Sequence, residues 1–324
     1  MGSRHRGAMP SSALTNALAL MSAQDGLAHV AQLRALGVSK AEVSSRLASG
    51  SWRRERPGVL AVAGAPVTQA MALRAAYLAL RFPQRGAGER DVAVTGSSAA
   101  GLYSWPLPPG FVPVAPRLIV PARVTPRAAP AVRVGDWAHR RFAEVAGLRT
   151  AIPADALLDL AGEISRDDVF ALVQAEVHRR PATARRLRTR CRSGAEGSAS
   201  IRSVLDALDQ GIDSVLHEHG HSHLRVVRLP KPRCGVELFS GMGSCDCVID
   251  RPGATAPPWG LVVGWDGATH RLEKRKYRHD QLRDRQARRE GWKYAHYGWD
   301  DHLHPDDMYG DLTERWGRVL RGTW

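Results

Sequence analysis

Acid is what this sequence is short of. Its 324 residues hold 32 Asp plus Glu against 46 Lys plus Arg, a formal charge of +14. An imbalance of that size favours polyanionic partners, nucleic acid or an anionic membrane surface. Cysteine is scarce as well: Cys191, Cys234, Cys245 and Cys247 make up the whole set. They lack the paired two-residue spacing of a structural zinc site, and a disulfide-stapled secreted fold is not expected. Cys245 and Cys247 flank Asp246 and are expected on one face of a strand, as reduced core thiols. Apolar runs long enough to span a bilayer are missing too, and MGSRHRGAMPSS has basic residues without an apolar core and cleavage site behind it. The expectation is a cytoplasmic protein with no membrane partner. With 44% hydrophobic and 24% charged residues the chain is an ordinary globular one, long enough for two or three domains.

Periodicity outlines those domains. In GLAHVAQLRALGVSKAEVSSRLASGSWRRERPGVLAV, Val30, Leu33 and Leu36 form a helical stripe that LGVS interrupts. A second helix follows from Lys40, with Ser39 and Glu42 placed for a capping box, Glu42 and Arg46 at i,i+4, and Gly50 at its C-terminal end. SWRRERPGVLAV then reads as two short strands around Arg-Pro-Gly, the hairpin of a winged helix-turn-helix. Groove recognition is expected from the helix at Lys40, with Arg46 near the phosphates and Arg53, Arg54 and Arg56 on the wing. The run RRLRTR at 185–190 is expected to add another basic surface.

Further along, 68–82 and GSSAAGLYSW read as helices, and PRLIVPARVTP and APAVRVGDWAHRRF as short strands. Three helices follow in IPADALLDLAGEI, DDVFALVQAEVHRR and ATARRLRTRC. The glycine and serine of SGAEGSAS make 193–211 the expected linker. Beyond it come a helical stretch through HEHGHSH, strands in GVELFSGMGSCDCVIDRP and LVVGWDG, a charged helix ended by Gly291, the strand KYAHYGW and a closing helix. The fold class is α/β (α+β overall). The expected divisions are an N-terminal extension at 1–25, a winged helix-turn-helix at 26–64, a small mixed domain at 65–192, the linker, and a sheet domain at 212–324.

Two resemblances attach to these segments. Residues 26–190 resemble the winged-helix and following domain of abortive-infection antitoxins of the AbiEi type, through GVSKAEVSSRLASGSWRRERPGVLAVAG, TGSSAAGLYSWPLP and GLRTAIPADALLDLA. Residues 212–320 are similar to very-short-patch-repair-like endonuclease domains of the PD-(D/E)XK superfamily, through DSVL, the acid of CDCVID, WDGATH, DQLRDRQARREGW and YGWDD. The first resemblance implies DNA as partner and a cognate toxin protein. The second implies carboxylates converging on Mg²⁺, because a phosphodiester is cut by a water activated on a hard divalent ion. It implies Asp246 and Asp266 as catalytic acids and metal ligands, with His270 beside the metal.

That carboxylate set is incomplete. The resemblance calls for glutamate two residues before Asp266, where this chain has Gly264. It calls for a helix acid at His217, whereas Glu218 lies one residue on and about 100° around the helix. The alternative is a rearranged, active site in which Asp246 and Asp266 are completed by either Glu218 or Asp250, the latter on the same strand face as Asp246. The expectation is a DNA-binding protein whose nuclease-like half is weak or inactive, gripping DNA through Lys276, Arg278 and Arg283 of the charged helix, with Tyr277 and Trp292 able to stack on bases. HEHGHSH also places His217 with His221, and His219 with His223, one helical turn apart, a spacing that suits zinc, though no third ligand is evident from spacing. The alternative for this stretch is a solvated polar helix face.

Overall fold

The computed structural model describes residues 12–82, 89–113, 115–127, 129–191, 197–241, 243–266 and 274–323, with no side chains described for 274–281. The chain is mixed α/β, as its patterns indicate, and divides into two compact units, residues 1–165 with 185–198 and residues 166–184 with 199–324. Among the described residues no helix is long and apolar enough to cross a membrane.

The first unit begins with α1 (Ser12–Ala23), β1 (Leu27–His29), α2 (Val30–Ala35), α3 (Lys40–Ala48), β2 (Trp52–Arg56) and β3 (Val59–Val62). The strands form an antiparallel sheet in the order β1-β3-β2. Local chemistry sets the breaks. His29 caps α2 by accepting from the Ala31 amide through Nδ1 (3.1 Å), and Ser39 caps α3 by accepting from Glu42 N (3.1 Å). The capping box expected at Ser39 is half formed, because the Glu42 carboxylate turns instead to Arg46 Nε at 3.0 Å. Gly50 lies just past α3 at φ +71°, and Gly58 at φ +76° closes the hairpin, where a non-glycine residue would be strained. Within the expected extension at 1–25, α1 is part of the core: its Leu14, Ala17 and Met21 are buried with Ala28, Leu33, Val38, Trp52 and Leu60. The other side of the sheet packs on α4 (Gln69–Arg81) through Leu27, Val59, Ala61, Met71, Ala75 and Leu78.

The same unit continues with β4 (Ala93–Val94), α5 (Gly96–Leu102), β5 (Leu118–Pro121), β6 (Val132–Val134), β7 (Phe142–Val145), β8 (Leu148–Ala151) and α6 (Pro153–Leu160). These strands pair in the order β6-β5-β4-β8-β7. In chain order α7 (Arg166–Arg179) follows and belongs to the second unit, then α8 (Ala182–Arg190), whose 185–190 belong to the first, and α9 (Ser198–Asp209), whose residues from 199 belong to the second. The arginine run of α8 is not simply a surface. Arg190 is buried, with Nε 2.7 Å from Asp155 Oδ1 and a second bond to Asp136, and Arg186 reaches the His139 carbonyl at 2.6 Å. Arg140 forms a bidentate pair with Asp159. Of the expected linker, 193–196 lie outside the described residues, and α9 fills 198–209 with Ile201, Val204 and Leu205 buried; their helical i, i+3, i+4 spacing outweighs the flanking Gly and Ser.

In the second unit, α10 (Val215–Val226) leads into β9 (Arg233–Val236), β10 (Cys245–Asp250), β11 (Gly260–Asp266), α11 (Lys274–Arg289), β12 (Lys293–Gly298), α12 (Trp299–Leu303) and α13 (Asp306–Arg321). The sheet order is β12-β11-β10-β9; β9, β10 and β11 are antiparallel neighbours and β12 runs parallel to β11. One core joins Leu216 and Leu224 of α10 and Met308, Leu312 and Val319 of α13 to Cys247, Ile249, Leu261, Val263 and Trp265. On the other face, Ala287 of α11 and Trp292 pack with Val248, Val262 and Tyr294. Trp292 is therefore core and not a base-stacking surface. Cys245 joins this second cluster while Cys247 joins the first, so the two do not share a face as expected.

Candidate functional site

The chemistry-bearing residues of the second unit gather where α10 crosses β9, β10 and β11. Ser214 caps α10 by accepting from His217 N (3.1 Å), which starts the helix so that His217, His221 and Leu224 face the sheet. Gly220 permits the approach. A Cβ there would stand 2.1 Å from the Trp265 ring, so any side chain would push α10 off β11. HEHGHSH is consequently not a solvated face: His217 and His223 are buried.

Asp246 and Asp266, the expected catalytic acids and metal ligands, lie on β10 and β11. Asp246 accepts from the Trp265 amide at 2.7 Å, and burial raises its pKa against the opposing pull of that bond. Asp266 Oδ2 lies 3.1 Å from His296 Nδ1. Gly264 pairs with His296 across the parallel β11–β12 ladder, and a Cβ at 264 would meet His296 Nδ1 at 2.8 Å. The space above the glycine is filled by an imidazole from the next strand, a residue that sequence spacing did not single out.

The carboxylates expected to complete a rearranged site do not converge. Glu218 projects away and forms a two-pronged ion pair with Arg166 of α7, as its 100° offset from His217 requires. Asp250 is exposed and bidentate with Arg233, both contacts 2.8 Å. His270 lies outside the described residues, as do the side chains of Lys276, Tyr277 and Arg278. A hard ion such as Mg²⁺ needs several oxygen donors around one point. The described arrangement does not fit one at Asp246 and Asp266.

Asp246 does have neighbours. Asp213, His217 and Asp246 present donor atoms within 4.8 Å of one another, with His217 Nδ1 3.3 Å from Asp213 Oδ1. On the other side of the same imidazole, His217, His221, Cys234 and Cys247 form a second group, their donors also within 4.8 Å. His221 Nε2 is 2.9 Å from Cys234 Sγ, and Cys247 Sγ is 3.5 Å from His217 Nε2 and 3.6 Å from His221 Nε2. The Cys247 thiol lowers the pKa of Cys234 by hydrogen bonding, against the effect of burial, and burial raises that of Cys247 itself. No protein-family model matches the chain, and no curated protein is significantly similar to it.

In the first unit the outward face of α3 is open. Lys40, Ala41, Ser44, Ser45 and Ala48 are exposed, and no residue of this helix is buried. Arg54 is exposed and Arg56 half-buried on β2. Arg53 behaves differently from its neighbours. Its guanidinium donates to the carbonyls of Val62 (3.0 Å) and Ala63 (2.9 Å) and its Nε lies 3.4 Å from Glu55, so it ties β2 to the end of β3. Alternation explains it: Arg53 sits on the opposite side of β2 from Arg54. Arg283 of α11 is partly engaged as well, donating to the Ser244 carbonyl at 3.0 Å.

Proposed function

We propose that this chain is a cytoplasmic DNA-binding protein of the antitoxin or defence-regulator type, with a PD-(D/E)XK-like second unit that cleaves DNA weakly or not at all. The observation that carries the proposal is the order α1, β1, α2, tight turn, α3, β2, β3 with the sheet β1-β3-β2, which is the plan of a winged helix-turn-helix. The exposed face of α3 bears only small or polar side chains besides Lys40, which suits close approach to base edges in a major groove. Arg54 and Arg56 on the ribbon, with Arg46 in the last turn of α3, suit phosphates. A cognate toxin is the protein partner that the antitoxin-like half implies.

The reading of the second unit rests on its α10-β9-β10-β11-α11-β12 succession together with the sequence resemblance. Its weak or absent cleavage rests on Gly264, on the imidazole above it, and on the diversion of Glu218 and Asp250 to arginines. The test is one titration of the full chain onto duplex DNA over a range of salt, with a parallel incubation of supercoiled plasmid with Mg²⁺ and Mn²⁺. Binding that weakens steeply with salt and leaves the plasmid intact is expected. Metal-dependent cleavage abolished by Asp246→Ala would replace the reading with that of an active endonuclease, and salt-insensitive or absent binding would remove DNA as the partner.

A further inference from the structure

We propose that His217, His221, Cys234 and Cys247 bind a structural Zn²⁺ that clips α10 to the β9–β10 edge of the sheet. The site does not depend on the DNA-binding reading.

Three elements deliver its donors, each by a regular rule. His217 and His221 are one turn apart on α10, so their rings project together, with centroids 5.3 Å apart. Cys234 and Cys247 are direct cross-strand partners in the antiparallel β9–β10 register, which brings their side chains to one face side by side. The glycine contact of α10 with Trp265 then sets the histidine pair down onto the cysteine pair. A two-His, two-Cys set is thereby assembled from residues as far apart in sequence as 217 and 247.

The dimensions suit a tetrahedron. Zinc takes sulfur at about 2.3 Å and imidazole nitrogen at about 2.0–2.1 Å, so the nitrogen–sulfur edge of a regular site is about 3.5–3.6 Å. Cys247 Sγ stands 3.5 and 3.6 Å from the two Nε2 atoms. The His221–Cys234 approach of 2.9 Å is a hydrogen-bond length and would open by roughly 0.6 Å around the ion.

The surroundings match those of a metal ligand shell. Asp213 Oδ1 faces the Nδ1 of His217, the outer nitrogen, and so orients the ring with Nε2 inward. Trp265 Nε1–H donates to Cys247 Sγ at 3.4 Å, a bond that stabilises a thiolate. His217 and Cys247 are 1% and 0% exposed, and four protein donors leave no open position, which distinguishes a structural site from a catalytic one. With two thiolates against Zn²⁺ the occupied site carries no net charge, as burial demands. The soft nitrogen and sulfur donors select zinc over Mg²⁺.

The test uses the full chain purified without chelator. Elemental analysis is expected to find zinc equimolar with protein, and Co²⁺ added to the metal-stripped chain to give thiolate-to-cobalt charge-transfer absorption. That absorption should fall in Cys234→Ser and in Cys247→Ser, while Asp213→Asn keeps it. Chelation should lower the melting temperature of the wild type. The proposal is overturned if the stripped wild type gives no thiolate–cobalt band, or if Cys234 and Cys247 are found joined in a disulfide. It is equally overturned if metal binding survives loss of both cysteines and disappears in Asp213→Asn, which would place the ion at Asp213, His217 and Asp246 instead.

Discussion

Replacing Asp155 tests whether the arginines of α8 are part of the fold or part of a DNA surface. Asp155 is wholly buried at the start of α6 and receives three donors: Arg190 Nε at 2.7 Å, the Arg141 amide at 3.0 Å and Arg186 Nη2 at 3.3 Å. Asp155→Ala removes all three and leaves the buried guanidinium of Arg190, only 4% exposed, with the Asp136 contact alone. Breaking one side of a buried ion pair costs about 3–5 kcal/mol, because the remaining charge has lost its compensation without regaining water. The surviving Asp136 contact argues for the lower end, about 3 kcal/mol. At roughly 2–4 °C per kcal/mol for a unit of this size, the first unit should melt roughly 6–12 °C lower. Asp155→Asn keeps an acceptor and should lose about 1–2 kcal/mol. Thermal unfolding of the full chain followed by circular dichroism reads both, and DNA binding measured well below the transition should keep its salt slope in Asp155→Ala. A loss below about 1 kcal/mol in Asp155→Ala would refute the network as a structural element.

Three further outcomes follow from the geometry. Arg54→Ala with Arg56→Ala should flatten the dependence of DNA affinity on salt by up to about 0.9 per lost phosphate contact, whereas Arg53→Ala should leave the slope and lower stability, as read by filter binding and melting side by side. His29, buried against Phe82 at a ring distance of 5.3 Å, has its pKa lowered from 6.5 to about 4 by burial. The folded state therefore binds this proton less readily than the unfolded one, so stability holds above pH 6.5 and falls as pH drops toward 4, by no more than about 3 kcal/mol. His29→Asn, which retains a helix cap, should remove that component from a series of melts across the interval. Gly264→Glu should destabilise the second unit by about 1–3 kcal/mol because its Cβ collides with His296, while Gly264→Glu with His296→Ala should recover most of that loss and gain Mn²⁺ affinity by calorimetry; equal stability of the two variants would contradict the packing described.

Local patterns carried much of this protein. The stripe Val30, Leu33 and Leu36, the break at Gly37, the Ser39 cap and the hairpin at Gly58 all depend on neighbours within a few residues, and the elements stand where those signals place them. The order of strands and helices in the second unit was legible for the same reason. Side-chain partnership was not. Nothing in RRLRTR distinguishes Arg190, buried on Asp155, from Arg185, which is exposed, because the carboxylate lies 35 residues away. The sequence resemblance marked Gly264 as the place of a missing carboxylate two residues before Asp266, but only the parallel pairing with β12 revealed that His296 occupies the space above the glycine. HEHGHSH showed two histidines one turn apart. Their sulfur partners are supplied by the β9–β10 register and by the close seat of Gly220 on Trp265, long-range facts of packing that periodicity along the chain cannot encode.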